Sequence, residues 1–137
     1  MFSKVNLVST LVATVWGVAG GFLLWGIIAD PLMADHMGME GIMKDPPDIM
    51  YLILGCLVQG FAFSTIYGKI SAGSYDTASG IQYGILVAIL VGLGGGLINY
   101  ATGNLMDLTG TFMNFGIYLF FFAVMGLLAG LIYTKMN

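Results

Sequence analysis

Gly80-Ile-Gln-Tyr-Gly84-Ile-Leu-Val-Ala88-Ile-Leu-Val-Gly92-Leu-Gly-Gly-Gly96 places a small residue at every fourth position of an apolar run. An α-helix turns once in 3.6 residues, so these positions form one nearly continuous groove along a rod. Such a groove lets a second helix approach closely, and inside a bilayer close packing is a main source of helix association. The stretch therefore reads as a membrane helix built for contact.

Composition extends this to the whole chain. Of 137 residues, 58% are hydrophobic and 8% are charged, against about 25% charged in an ordinary soluble domain. Four basic and seven acidic side chains are too few to cover a soluble fold of this length. The 21 glycines would weaken soluble helices but are frequent in membrane ones. The length fits one domain, residues 1–137. A net charge of −3 without a basic patch argues against nucleic acid as a partner. A lone cysteine, Cys56, excludes an intrachain disulfide.

Four apolar runs, at about 5–29, 49–68, 78–101 and 111–134, match the roughly 20 residues needed to cross a bilayer. Only helices or closed barrels satisfy their backbone in lipid. The fold class expected is thus all-α: a polytopic integral membrane protein, a four-transmembrane-helix bundle. The first run is too long for a signal-peptide core and reads as a retained helix. Lys4, Lys69 and Lys135 fall on one side of such a bundle, whereas Lys44 lies among Asp30, Asp35, Glu40, Asp45 and Asp48 on the other. Basic short loops stay cytoplasmic, so both termini are expected in the cytoplasm. The outer loop 30–48 carries Pro31, then Met33, Met37, Met39 and Met43, then Pro46-Pro47. That pattern suggests a short amphipathic helix at the interface. Trp25, Tyr51, Tyr67, Tyr100 and Tyr133 stand near span ends, where aromatic rings favour the headgroup level.

The other spans carry small residues at the same spacing: Gly17 and Gly21 in the first, Cys56, Gly60, Ser64 and Gly68 in the second, Gly126 and Gly130 in the fourth. With Gly80, Gly84, Gly92 and Gly96 they form the expected helix-packing interface. A simple antiparallel bundle does not need four such faces. The surplus favours a partner helix, from another membrane-protein subunit or from a second copy of this chain.

Intramembrane polar residues usually mark function, and no charged residue lies at the centre of any span. The polar candidates are Gln59, Gln82, Asn99 and Asn114. Interhelical hydrogen bonds account for them at least as well as a pore or ligand would. Asn99 and Asn114 could meet across the turn between the last two spans. In the outer loop, His36 with Met33, Met37 and Met39 offers ligand types suited to Cu(I). Methionine is equally an adaptable apolar side chain at interfaces, and that account is preferred. His36 is the only histidine, and no nucleophile has a base at hand, so catalysis is not expected. Gly92-Leu-Gly-Gly-Gly96 lies inside a span and lacks the strand of a dinucleotide fingerprint. No cofactor is expected.

Three phrases, Leu24-Trp-Gly-Ile-Ile-Ala-Asp30, Met43-Lys-Asp-Pro-Pro-Asp48 and Asn99-Tyr-Ala-Thr-Gly-Asn-Leu-Met-Asp-Leu108, together resemble a group of small four-helix bacterial inner-membrane proteins with no assigned activity. The resemblance implies that membrane and the four-span layout, and it carries no site. It suggests that Asp30, Pro46, Pro47, Asn104 and Asp107 belong to a shared outer-face construction. The function expected is that of an accessory or scaffold subunit packing against other membrane proteins. One alternative is a small oligomeric channel or carrier lined by Gln59, Ser64, Asn99 and Asn114. Another is lipid, quinone or pigment binding between helices, walled by Trp16, Trp25 and the phenylalanines Phe120 to Phe122.

Overall fold

The computed structural model describes residues 3–29, 49–71, 74–103 and 107–136. Helix α1 covers Lys4–Gly21 and continues as a π-helical stretch, Phe22–Ala29. Helix α2 is Ile49–Ser71. Helix α3 begins at Thr77–Ala88, widens into π-helical Ile89–Gly94 and ends as α-helical Gly95–Thr102. Helix α4 is Leu108–Met136. All four are long and apolar enough to cross a membrane, at 25, 23, 26 and 29 residues. The last three extend the expected spans by one to three residues at an end, and polar side chains cap the starts of α1, α3 and α4. Ser3 Oγ accepts the Asn6 N–H at 3.2 Å. Asp76 Oδ1 accepts Ser79 N–H at 2.6 Å, in a reciprocal capping box that starts α3. Asp107 Oδ1 accepts Gly110 N–H at 2.7 Å to start α4.

The helices form two hairpins, α1 with α2 and α3 with α4, joined chiefly through α1 and α4. Helix α2 meets α3 and α4 through long side chains, Phe63, Tyr67, Tyr83 and Tyr133, rather than through close backbone approach. The core runs along the α4 seam, through Phe63, Tyr83, Phe121, Phe122, Met125 and Ala129. Only 22% to 33% of each apolar window is buried, so most of the large apolar side chains face outward. A soluble monomer rarely exposes apolar patches on this scale; lipid is their natural solvent.

The α3–α4 seam is made by glycine. A Cβ built on Gly80 would run into the Gly126 carbonyl, and one on Gly84 into the Phe122 carbonyl. Conversely, a Cβ on Gly126 would strike the Gly80 carbonyl, and one on Gly130 would lie 2.5 Å from the Asp76 carbonyl oxygen. The backbones are therefore in direct contact, at the range where Cα–H···O contacts form. Farther along, Gly92 faces Tyr118 and Gly96 faces Thr111, again on α4.

Keeping that stripe on one partner requires a change of helix pitch. A four-residue step overshoots an α-helical turn by about 40°, so the four steps from Gly80 to Gly96 would wind the stripe about 160° around the rod. The turns of Ile89–Gly94 are wider and hold more than four residues each, which winds it back toward α4.

Two expectations change here. The small-residue faces are consumed inside the chain. Gly17 meets Cys56 on α2, and Gly60 meets Thr10, Ala13 and Thr14 on α1. Among the nine glycines expected to pack helices, Gly21 alone has open space where a Cβ would go. The surplus that favoured a partner helix is thus spent on the bundle's own contacts. Tyr67 and Tyr133 do not form an interfacial belt: they are 0% and 5% exposed, because polar groups inside the bundle satisfy their hydroxyls. Tyr51 and Tyr100 are exposed. The amphipathic segment expected in loop 30–48 lies outside the described residues.

Candidate functional site

The polar groups of the bundle gather at the end that carries Lys4, Lys69 and Lys135. Asn6, one turn inside α1, is 3% exposed. Its Oδ1 accepts from Ser64 Oγ at 2.6 Å and from Tyr133 Oη at 3.1 Å. Its Nδ2 donates to Thr65 Oγ1 at 2.9 Å. Tyr133 Oη also lies 3.0 Å from the Ser64 carbonyl oxygen. One amide thereby ties α1 to α2 and α4. Beside it, Tyr67 Oη reaches the Asp76 carbonyl oxygen at 3.1 Å and Ser79 Oγ at 3.0 Å, fixing α2 to the start of α3. Tyr83 donates to the Phe63 carbonyl at 2.9 Å. The rings of Tyr67, Tyr75 and Tyr133 pack together with centroids 4.9–5.9 Å apart.

The groups in this cluster are uncharged amides and hydroxyls. They hold helices together and can donate or accept hydrogen bonds. Neither a general base nor an activated nucleophile is found among the described residues of the cluster.

A second polar pair lies toward the other end. Trp25, in the π-helical part of α1, donates its Nε1–H to Asn114 Oδ1 at 2.7 Å. Its ring also packs edge-on against Tyr118 and Phe121, at 4.9 Å and 5.1 Å between centroids. Trp16 donates to the Phe121 carbonyl at 2.9 Å. Both indoles are thus filled against α4 and hydrogen-bonded there. Trp25→Phe should lower stability by about 1 kcal/mol through loss of the Asn114 bond. Unfolding in detergent with and without Asn114→Leu checks this, since the two losses should overlap rather than add.

Of the polar residues singled out in sequence, Asn114 and Ser64 pair within the bundle, whereas Gln59, Gln82 and Asn99 are exposed. Asn99 and Asn114 are not joined: Asn114 is engaged by Trp25 from another helix. His36, Met33, Met37 and Met39 lie outside the described residues. Asn6 was not among the sequence candidates. The available signal was helical spacing, since Asn6, Ser9, Thr10, Ala13 and Gly17 share one buried face of α1.

These features define an all-helical, multi-pass membrane protein with a polar knot at its lysine-bearing end. No family model, curated protein or solved structure matches the chain.

Proposed function

We propose that this chain is a non-catalytic accessory or scaffold subunit of the bacterial inner membrane, with both termini cytoplasmic, that packs against other membrane proteins. The carrying observation is Gln59. It lies near the middle of α2, and its side chain is exposed on the outer face of the bundle. Gly55, Ala62 and Ile66 share that face and are also exposed, and a Cβ on Gly55 would meet nothing within 4 Å. An amide left without partners in hydrocarbon is costly. A neighbouring helix would pair with it, and Gly55 would let that helix come close.

The oligomeric-channel alternative loses support, because Ser64 and Asn114, two of its four lining residues, spend their polar groups inside one bundle. The cofactor-between-helices alternative loses support because Trp16 and Trp25 fill the space they would wall.

Purification in a gentle detergent tests the proposal. The native chain should run larger than a monomer, with defined membrane subunits in stoichiometric amounts. Gln59→Leu should release them, at a cost to the complex of about 1 kcal/mol or more, while the bundle keeps its own melting temperature. A monomeric native chain in both detergent and lipid discs counts against the assignment, as does a complex indifferent to Gln59→Leu.

A further inference from the structure

We infer that the lysine end of the bundle holds a phosphate oxyanion, presented as the headgroup of an anionic phospholipid. A pocket of about 190 Å³ opens there, lined by Ser3, Asn6, Thr65, Lys69, Tyr75 and Tyr133. A single water needs only roughly 10–15 Å³ of such space, so the pocket has room for a phosphate with part of its ester.

The lining is biased toward donors. Ser3 Oγ and Thr65 Oγ1 both accept hydrogens from Asn6, from its backbone N–H and its side-chain Nδ2. Each hydroxyl therefore has its own hydrogen to give. Tyr75 Oη spends its hydrogen on a long 3.4 Å contact to the Gly68 carbonyl, readily exchanged for a better acceptor. Lys69 adds a full positive charge and only donors. Among the described residues, no carboxylate lines the pocket. Asp76, the acidic residue nearest in sequence, is committed to capping α3. Four hydroxyl or ammonium donors facing one space, without a competing anion, suit a group with several acceptor oxygens.

Depth and surroundings favour a lipid as the source. Lys69 stands in the last turn of α2, where a span meets the headgroups. Leu7, next in sequence to Asn6 and deeper along α1, is an exposed apolar side chain, and Val8 and Leu11 continue α1 below it, Leu11 exposed as well. They offer a path for acyl chains below a bound headgroup.

The test is a titration of the full chain in detergent, read by native mass spectrometry, with phosphatidylglycerol, phosphatidylcholine and inorganic phosphate as separate probes. Phosphatidylglycerol should bind in preference to phosphatidylcholine. Lys69→Gln should weaken its binding about tenfold, and Tyr75→Phe a few-fold. Lys135→Gln changes charge at the same end but does not line the pocket, so binding should stay within about twofold. Equal binding of the two lipids overturns the proposal, and so does equal loss in the Lys69 and Lys135 variants. If inorganic phosphate binds and displaces phosphatidylglycerol, the ligand is a soluble phosphate and the lipid assignment fails.

Discussion

Gly84→Ala is expected to cost this protein about 3 kcal/mol of stability, the upper end for an overpacked core. The added methyl carbon has nowhere to go, because the obstacle is the Phe122 carbonyl of α4, and backbone cannot change rotamer. Helices α3 and α4 must move apart, and the Gly80–Gly126 contact one turn away opens with them. Glycine positions around the bundle supply the controls. At Gly17 a Cβ would meet the Cys56 side chain, with its Sγ at 3.2 Å; a side chain can yield a few tenths of an ångström, so Gly17→Ala should cost about 1 kcal/mol. At Gly116 a Cβ meets nothing within 4 Å, so Gly116→Ala should fall within about 0.5 kcal/mol of native or gain slightly from helix propensity. Reversible unfolding in mixed micelles, followed by circular dichroism, ranks the three. The double variant Gly84→Ala with Gly126→Ala should cost less than the sum of the singles, since both open the same seam. If Gly84→Ala and Gly116→Ala prove alike, the backbone contact described here is wrong.

That ranking also marks where sequence reading reached and where it stopped. Run length and the scarcity of charge give four spans, because the requirement to satisfy backbone in lipid acts locally along the chain. The four-residue spacing of Gly80, Gly84, Gly92 and Gly96 shows a contact face. It cannot say which helix receives that face, and here the receiver is the chain's own α4. Nor does the spacing reveal that Ile89–Gly94 is underwound, since the pitch is set by the partner helix against which the glycines must stay.

Polar residues were harder still. Gln59 sits mid-span, but burial in a bundle depends on helix rotation, and α2 turns it outward. Asn6 stands at a helix start beside Lys4, yet it is the most connected amide among the described residues. The difference lies in tertiary partners, Ser64 and Tyr133, which are 58 and 127 residues away in sequence. Tyr67 and Tyr133 stand where interfacial rings are common, and polar groups inside the bundle hold them there, Asp76 and Ser79 for Tyr67, Asn6 and Ser64 for Tyr133.

The Asn6 knot yields the second large effect. Asn6→Leu keeps the branching and the heavy-atom count of the side chain, so it opens no cavity and the loss should come chiefly from hydrogen bonds. Interhelical hydrogen bonds in membranes average about 0.6 kcal/mol, with a maximum near 1.7. Asn6 makes three from its side chain, to Ser64, Thr65 and Tyr133. The variant should therefore lose about 2 kcal/mol, with Ser64 the worst affected, because its hydroxyl is fully buried and its best acceptor is gone. Tyr133→Phe removes one hydroxyl and should cost about 1 kcal/mol, since Asn6 keeps Ser64 and Thr65 as partners. A cycle of the two substitutions should return a coupling of about 0.5–1 kcal/mol, as expected for groups sharing one acceptor. The location of the damage is as telling as its size. Amide exchange should accelerate in the first turns of α1 and the last turns of α4, where Asn6 and Tyr133 meet. The Trp25–Asn114 contact, toward the far end of the rods, should keep its indole signal unchanged. Zero coupling, or loosening spread evenly along all four helices, would mean that the knot does not join these ends.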